Sequence, residues 1–304
     1  MARCCRRLTA DIAGEFLASV DTFLFDCDGV LWNHQDATPG AVETLDKLRN
    51  LNKKVFFVTN NSTKSRADYV KKCLQLGFHA EEDEIICTAF VAAQYLKSIL
   101  PANSKVYVMG MPGMLQELDK AGIRHIGSGP DVIHGTITEW VQTELDPEVN
   151  CVLLGFDENI SYLKVMKAAS YARRKGAFFV ATNEDNELPM DGPIVIPGTG
   201  VVVAAVKTAA ARDPIVVGKP HHPMFDMIAK SFNVEPDRTV MVGDRLNTDI
   251  MWANNCGLHS IMVLTGIATL EEAQHLMTSN SIEHQKQIPE FYLDKIGDLE
   301  EFLN

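Results

Sequence analysis

The sequence predicts an α/β protein: a Rossmann-like, doubly wound core of parallel strands with a second, smaller α/β unit inserted into it. Short apolar runs recur along the 304 residues, each closed by glycine or polar residues and followed by a stretch of helical periodicity. That is the pattern of parallel strands buried by crossover helices. A long segment in the middle repeats the alternation on its own, and 46% of the residues are apolar, enough for about two cores.

The elements follow in order. A strand is expected at 22–25, ending in Asp26-Cys27-Asp28-Gly29, and a helix over 41–51 with Val42, Leu45 and Leu48 on one face. The run 54–58 is β-branched and aromatic and ends in Thr59-Asn60-Asn61-Ser62-Thr63, whose hydroxyls and amides can cap the next helix. That helix would bury Tyr69, Val70, Cys73, Leu74 and Leu76 and stop at Gly77. The runs 214–218, followed by Lys219, and 239–243, followed by Asp244, read as two more strands of the same sheet. Between them and the earlier strands lie strands at 105–109, 132–137, 151–154 and 177–181, a helix through Leu118 and another over 162–175. The insert is placed at 104–212, leaving 1–103 and 213–304 for the core, with Pro101-Ala102-Asn103-Ser104 and Arg212-Asp213-Pro214 as linkers.

Charge and composition exclude several classes. The 28 Lys and Arg against 40 Asp and Glu leave a net charge of −12, which weakens any non-specific attraction to nucleic acid or an anionic membrane and leaves room for a locally basic pocket. No apolar run approaches the roughly 18 residues of a membrane-spanning helix. Arg3, Arg6 and Arg7 make a basic start, but Asp11 and Glu15 interrupt what a secretory signal would need, so a frayed N-terminus is expected. The seven cysteines are odd in number and lack C-x-x-C spacing, which fits a reducing cytoplasm. The histidines show no zinc-ligand spacing.

In an open parallel sheet, ligands bind outside the carboxyl ends of the strands. The polar strand ends should therefore converge, bringing together Asp26 and Asp28, Thr59 with Asn60, Lys219, and Asp244 with Asp249. Carboxylates crowded in this way repel, and a divalent cation holds them charged. Hard oxygen ligands without thiolate or imidazole favour Mg²⁺, with Asp26 and Asp244 as its carboxylate ligands. Lys219, Thr59 and Asn60 offer a cation, a hydroxyl and an amide to phosphoryl oxygens. Side chains at i and i+2 share one face of an extended segment, so one of Asp26 and Asp28 can attack phosphorus while the other gives a proton to the departing oxygen.

Bland readings stand beside these. A D-x-D after a strand is by itself a turn or a cap, and Thr248-Asp249 could simply open a helix. Gly198-Thr199-Gly200 lacks the third glycine and the preceding strand of a dinucleotide site. Cys27 should be a small buried side chain, and Met109, Met111 and Met114 core filling.

Taken together, Asp26-Cys27-Asp28-Gly29-Val30, Thr59-Asn60, Gly218-Lys219-Pro220 and Gly243-Asp244-Arg245-Leu246-Asn247-Thr248-Asp249 resemble, in order, the four motifs of haloacid dehalogenase superfamily phosphatases. The insert sits where that family carries its type-2 cap. Within it, Val58-Thr59-Asn60-Asn61-Ser62, Ala181-Thr182-Asn183 and Pro197-Gly198-Thr199-Gly200 are similar to the animal phosphoglycolate and pyridoxal phosphate phosphatase group. The resemblance implies Asp26 as the nucleophile of an aspartyl-phosphate and Asp28 as general acid, its carbonyl also facing Mg²⁺. It implies Asp244 as a ligand, Asp249 as support of the metal, and Thr59, Asn60, Asn61 and Lys219 as phosphate holders. Where pyridoxal phosphate enzymes place a cap histidine this chain has Leu188, and Asn186-Glu187-Leu188-Pro189 resembles the phosphoglycolate enzymes instead.

The expected activity is Mg²⁺-dependent hydrolysis of small phosphate monoesters, 2-phosphoglycolate or glycerol 3-phosphate foremost. The alternatives are pyridoxal 5'-phosphate and protein phosphoserine. A homodimer through the cap, with no nucleic-acid or membrane partner, is implied. A non-catalytic scaffold is disfavoured because both Asp26 and Asp28 are present.

Overall fold

The computed structural model describes residues 4–188 and 192–303, so Arg3 and Pro189 lie outside the described residues. The chain divides into two compact units. One holds the residues up to Thr59, Tyr69–Ile86 and those from Lys219 onward; the other holds Asn60–Asp68 and Cys87–Gly218.

A seven-stranded sheet organises the first unit, in the order Arg6–Arg7, Phe291–Leu293, His259–Val263, Thr239–Gly243, Thr22–Phe25, Lys54–Thr59, Ile85–Cys87. The central pairs are parallel, with Val242 opposite Phe25 and Phe25 opposite Phe57. Thr22–Phe25 is buried along its whole length because both faces of a parallel sheet are covered, so every position favours an apolar side chain. Phe23 and Phe25 stack with centroids 6.0 Å apart. The helix Ala41–Asn50 buries Leu45 and Leu48 and starts at Gly40, whose φ of +80° suits glycine.

Three expectations fail in this unit. Arg6 and Arg7 do not fray: they pair with Phe291 and Tyr292, Arg7 meets Asp294 at 2.5 Å, and Leu8 behind them is 1% exposed. Leu74 is exposed, and the helix Arg66–Gln75 buries Tyr69 and Cys73. The strand before Lys219, Ile215–Val216, is absent from this sheet and pairs with Phe178–Ala181 of the second unit.

The second unit carries a five-stranded parallel sheet, Ile215–Val216, Phe178–Ala181, Val149–Leu154, Lys105–Met109, Arg124–Ile126. Helices Tyr162–Ala172 and Thr199–Ala210 bury Ala168, Ala172, Val203 and Val206 in its core. The expected strand at 132–137 does not form. Val132 and Ile137 are exposed, and a capping box between Thr136 and Glu139 opens the short helix Ile137–Trp140 there. In Gly198-Thr199-Gly200 the glycines serve close packing: Gly198 and Gly200 donate to the carbonyls of Asn186 and Asp185 at 2.7 and 2.9 Å. Met109 and Met114 are buried, as is Cys27.

Candidate active site

The three central strands of the first sheet run parallel and end side by side, and their ends carry the chemistry. Asp26 directly follows Thr22–Phe25, and its N–H donates to Val242 of the neighbouring strand at 2.9 Å. Asp244 follows Thr239–Gly243, Asp249 lies one turn further on, and Thr59 closes Lys54–Thr59, buried.

Lys219 is the hub. Its side chain is 2% exposed, and its ammonium lies 2.6 Å from Asp26 Oδ1 and 2.7 Å from Asp249 Oδ1. It also donates to the carbonyl of Val58 at 3.2 Å. Asp26, Asp244 and Asp249 each offer an oxygen within 4.8 Å of the others. Three carboxylates against one ammonium leave a formal charge of minus two in a buried place, which a divalent cation balances.

The individual atoms fit that charge. Asp244 Oδ2 accepts from the N–H of Ile267 at 2.9 Å, whereas Asp244 Oδ1 is buried with no hydrogen-bond partner among the described residues. Buried anionic oxygens are paired or bound to metal. Gly29, with φ of +87°, leaves the space: a Cβ there would fall 2.5 Å from Asp244 Oδ2. Burial pushes the Asp26 carboxyl well above its ordinary range against the pull of Lys219, with Asp249 and Asp244 adding to the rise. Burial and then Asp249 push Asp244 up to about 6. Burial works to lower Lys219, yet Asp249 and Asp26 outweigh it, so its affinity for the proton rises.

Asp28 is held apart from the other three aspartates. Its Oδ1 accepts from Trp32 Nε1 at 2.8 Å and from Lys72 Nζ at 3.2 Å, and its side chain is 37% exposed. The Lys72 ammonium also lies 4.5 Å from the Trp32 ring centroid. One aspartate thus faces the buried cluster, while the other is braced by a cation and an indole with room to reach solvent.

Trp32 and Lys72 were invisible as site residues in the sequence, as was the loop Thr265-Gly266-Ile267 that caps Asp244. A Trp four residues after Asp28 was the available clue; Lys72 arrives through the fold alone. Asn60, Asn61 and Leu188 belong to the second unit. Asn60 Nδ2 donates to Asp185 at 2.9 Å, Asn61 Oδ1 accepts from the N–H of Thr63 at 2.8 Å, and Leu188 sits half-buried opposite Ile196 on a two-stranded ribbon.

Comparison with known proteins identifies the family. A sequence profile described as haloacid dehalogenase-like hydrolase matches residues 23–124, and a second profile of that kind matches 216–299. Glycerol-3-phosphate phosphatase of Gallus gallus is 46% identical over 300 residues, 98% of this chain and 96% of the relative. Chronophin of Homo sapiens is 38% identical over 308 residues, covering 100% and 99%. The crystal structure of glycerol phosphate phosphatase from Mycobacterium tuberculosis in complex with magnesium superimposes with a TM-score of 0.76 at 28% identity, over 93% of this chain and 77% of that one. The chain belongs to the haloacid dehalogenase-like hydrolase family.

Proposed function

We propose that the protein is a Mg²⁺-dependent phosphatase of small phosphate monoesters, with glycerol 3-phosphate and 2-phosphoglycolate as its favoured substrates. The observation that carries this is the buried lysine facing three carboxylates at the ends of parallel strands, an excess of negative charge built around Asp26. Asp26, Asp244 and Asp249, with the carbonyl of Asp28, would hold Mg²⁺, which supplies a Lewis acid for the phosphoryl oxygens. The resemblance of the glycerol phosphate phosphatase supports the substrate class, and Leu188 stands where the resemblance places a histidine in pyridoxal phosphate enzymes.

Asp26 Oδ attacks phosphorus in line with the ester oxygen, forming the aspartyl–phosphate bond as the P–O ester bond breaks. The leaving alkoxide takes its proton from Asp28. Water then attacks the aspartyl-phosphate, Asp28 accepts the water proton, and inorganic phosphate leaves with Asp26 restored. Lys219 and Thr59, with Asn60 and Asn61, meet the charge of the phosphoryl oxygens. Trp32 and Lys72 orient Asp28 for its two proton transfers.

In this reading the insert expected at 104–212 is the cap that selects substrate and joins two copies in a homodimer, and the protein works in the cytoplasm. Seven unpaired cysteines accord with that location. Among the described residues no helix is long and apolar enough to cross a membrane.

The test is phosphate release from glycerol 3-phosphate, 2-phosphoglycolate, pyridoxal 5'-phosphate and a phosphoserine peptide, each with Mg²⁺ or with chelator. The first two should turn over fastest and only with the metal, and Asp26→Asn should lower turnover on the order of 10³-fold or more. Chelator-resistant turnover, or an active Asp26→Asn variant, would refute the mechanism. Preference for pyridoxal phosphate would refute the substrate assignment.

A further inference from the structure

Ala181-Thr182-Asn183 and the glycines of Gly198-Thr199-Gly200 take no part in the chemistry of Asp26 and Asp28, yet they lead to one side chain, Asp185. It lies half-buried in the second unit, on the loop after the strand Phe178–Ala181. Its Oδ2 accepts from two amides, Asn60 Nδ2 at 2.9 Å and Asn183 Nδ2 at 2.5 Å. Asn183 is itself set by the buried Thr182, whose hydroxyl donates to Asn183 Oδ1 at 2.8 Å. The glycines let the start of the helix Thr199–Ala210 lie against the Asp185 backbone. Gly200 donates its N–H to the Asp185 carbonyl at 2.9 Å, and a Cβ on it would fall 2.7 Å from the Glu184 carbonyl oxygen. A Cβ on Gly198 would collide with the carbonyl oxygen of Asp185.

What this frame holds is Asn60, 9% exposed and gripped at three atoms. The Thr88 hydroxyl donates to its backbone carbonyl at 2.6 Å, and Asp185 takes its Nδ2. Its Oδ1 lies over Gly218, where a Cβ would fall 2.6 Å away. Gly218 is fixed in turn, since its N–H donates to the Thr182 carbonyl at 2.8 Å. The two ends of a primary amide are alike in shape and opposite in hydrogen bonding, whereas a carboxylate only accepts. Asp185 therefore decides which end of the Asn60 amide is nitrogen; turned over, the amide would set oxygen against oxygen. That nitrogen carries two hydrogens, so a bond to Asp185 is compatible with a second one to a phosphoryl oxygen. A donor held in advance meets developing charge without reorganising.

We propose that Asp185 is a positioning residue for phosphate-ester hydrolysis, fixing the amide of Asn60 for the phosphoryl group. The assignment rests on Asn60 as a phosphate holder, and deepens that role. A carboxylate that merely closed its own loop would need only Asn183, two residues away. The bond to Asn60 spans 125 residues of chain and ends on the side chain that directly follows Thr59.

The test is a double-mutant cycle on the full chain with Mg²⁺, read in kcat/KM for glycerol 3-phosphate and in calorimetric binding of inorganic phosphate. Asp185→Ala and Asn60→Ala should each lower kcat/KM about tenfold and weaken phosphate binding about fivefold. Together they should still cost about tenfold in kcat/KM, where independent losses would multiply to about a hundredfold. Asp185→Asn, which keeps an oxygen in the place of Oδ2, should stay within about threefold of the unsubstituted chain. Asp185→Ser, too short to reach Asn60, completes the same cycle should Asp185→Ala not fold. Losses that multiply, an Asp185→Ala variant of full activity, or an Asp185→Asn variant as impaired as Asp185→Ala would overturn the proposal and leave the phosphatase reading standing. An Asn60→Ala variant with unchanged kcat/KM and phosphate binding overturns the role of Asn60 itself, and the proposal with it.

Discussion

Two lysines are equally hidden in this molecule and do different work. Lys164, in the second unit, is fully buried against a single fully buried carboxylate, Asp157, and donates to the carbonyl of Gly129 at 2.9 Å. Asp157 in turn accepts from the N–H of Asn159 at 2.9 Å. Charge is balanced there, and the pair joins the loop at Gly129 to the start of the helix Tyr162–Ala172. Lys219 meets two carboxylates with a third in reach, and Asp244 keeps a buried oxygen without a hydrogen-bond partner among the described residues. The contrast teaches that burial of a charge does not mark a site. Burial of an unbalanced charge does, because the imbalance is tolerated only where something else completes it.

The comparison breaks first at the balanced pair. Lys164→Met should cost about 3–5 kcal/mol of stability by leaving Asp157 alone in the interior, and Mg²⁺ should restore none of it. Urea melts with and without the metal read both quantities; a loss that Mg²⁺ repairs would erase the distinction. The opposite sign is expected at the unbalanced cluster. Asp244→Asn removes a repelled charge and should stabilise the metal-free protein near pH 8 by about 2–3 kcal/mol, while abolishing the rise in Tm on adding Mg²⁺. A destabilised, still Mg²⁺-responsive variant would contradict it.

The pH dependence sharpens the same point. With its native value raised to about 6, Asp244 binds a proton more tightly folded than unfolded. Its contribution to metal-free stability is therefore present at low pH and lost as pH rises through about 6, a loss of up to about 3 kcal/mol. Mg²⁺ binds the ionised form, so the gain in Tm on adding it should grow between about pH 5 and pH 8. A gain that is flat over that interval would mean the carboxylates are not what the metal meets. The smallest effect belongs to Asp28: Trp32→Phe deletes one hydrogen bond and should lower kcat about fivefold, or about 1 kcal/mol, with KM little changed.

How much of this was legible in the residues follows from where the information lies. Thr22–Phe25, Lys105–Met109 and Thr239–Gly243 stand where they were expected, because a strand covered on both faces must be apolar throughout. The run at 132–137 misled for the complementary reason: Val132 and Ile137 are apolar but exposed, and Thr136 with Glu139 caps a helix. Ile215–Val216 shows a further limit, since a short apolar run does not reveal which sheet it joins. Asp26 and Asp244 were readable because each follows a strand directly. Lys72 and Ile267 were not, because their contacts with Asp28 and Asp244 depend on long-range packing that no local spacing encodes, and Trp32, though only four residues from Asp28, reads in the sequence as an ordinary apolar residue.

The most direct test of the central claim is to trap the phosphoryl group. The chain is mixed with glycerol 3-phosphate radiolabelled in its phosphate and Mg²⁺, quenched in acid within the first turnovers, and digested for peptide mapping. The account predicts label on the peptide containing Asp26, released by hydroxylamine as an acyl phosphate is, and absent without the metal. Steady turnover with no label on the protein, or label on another residue, would contradict it.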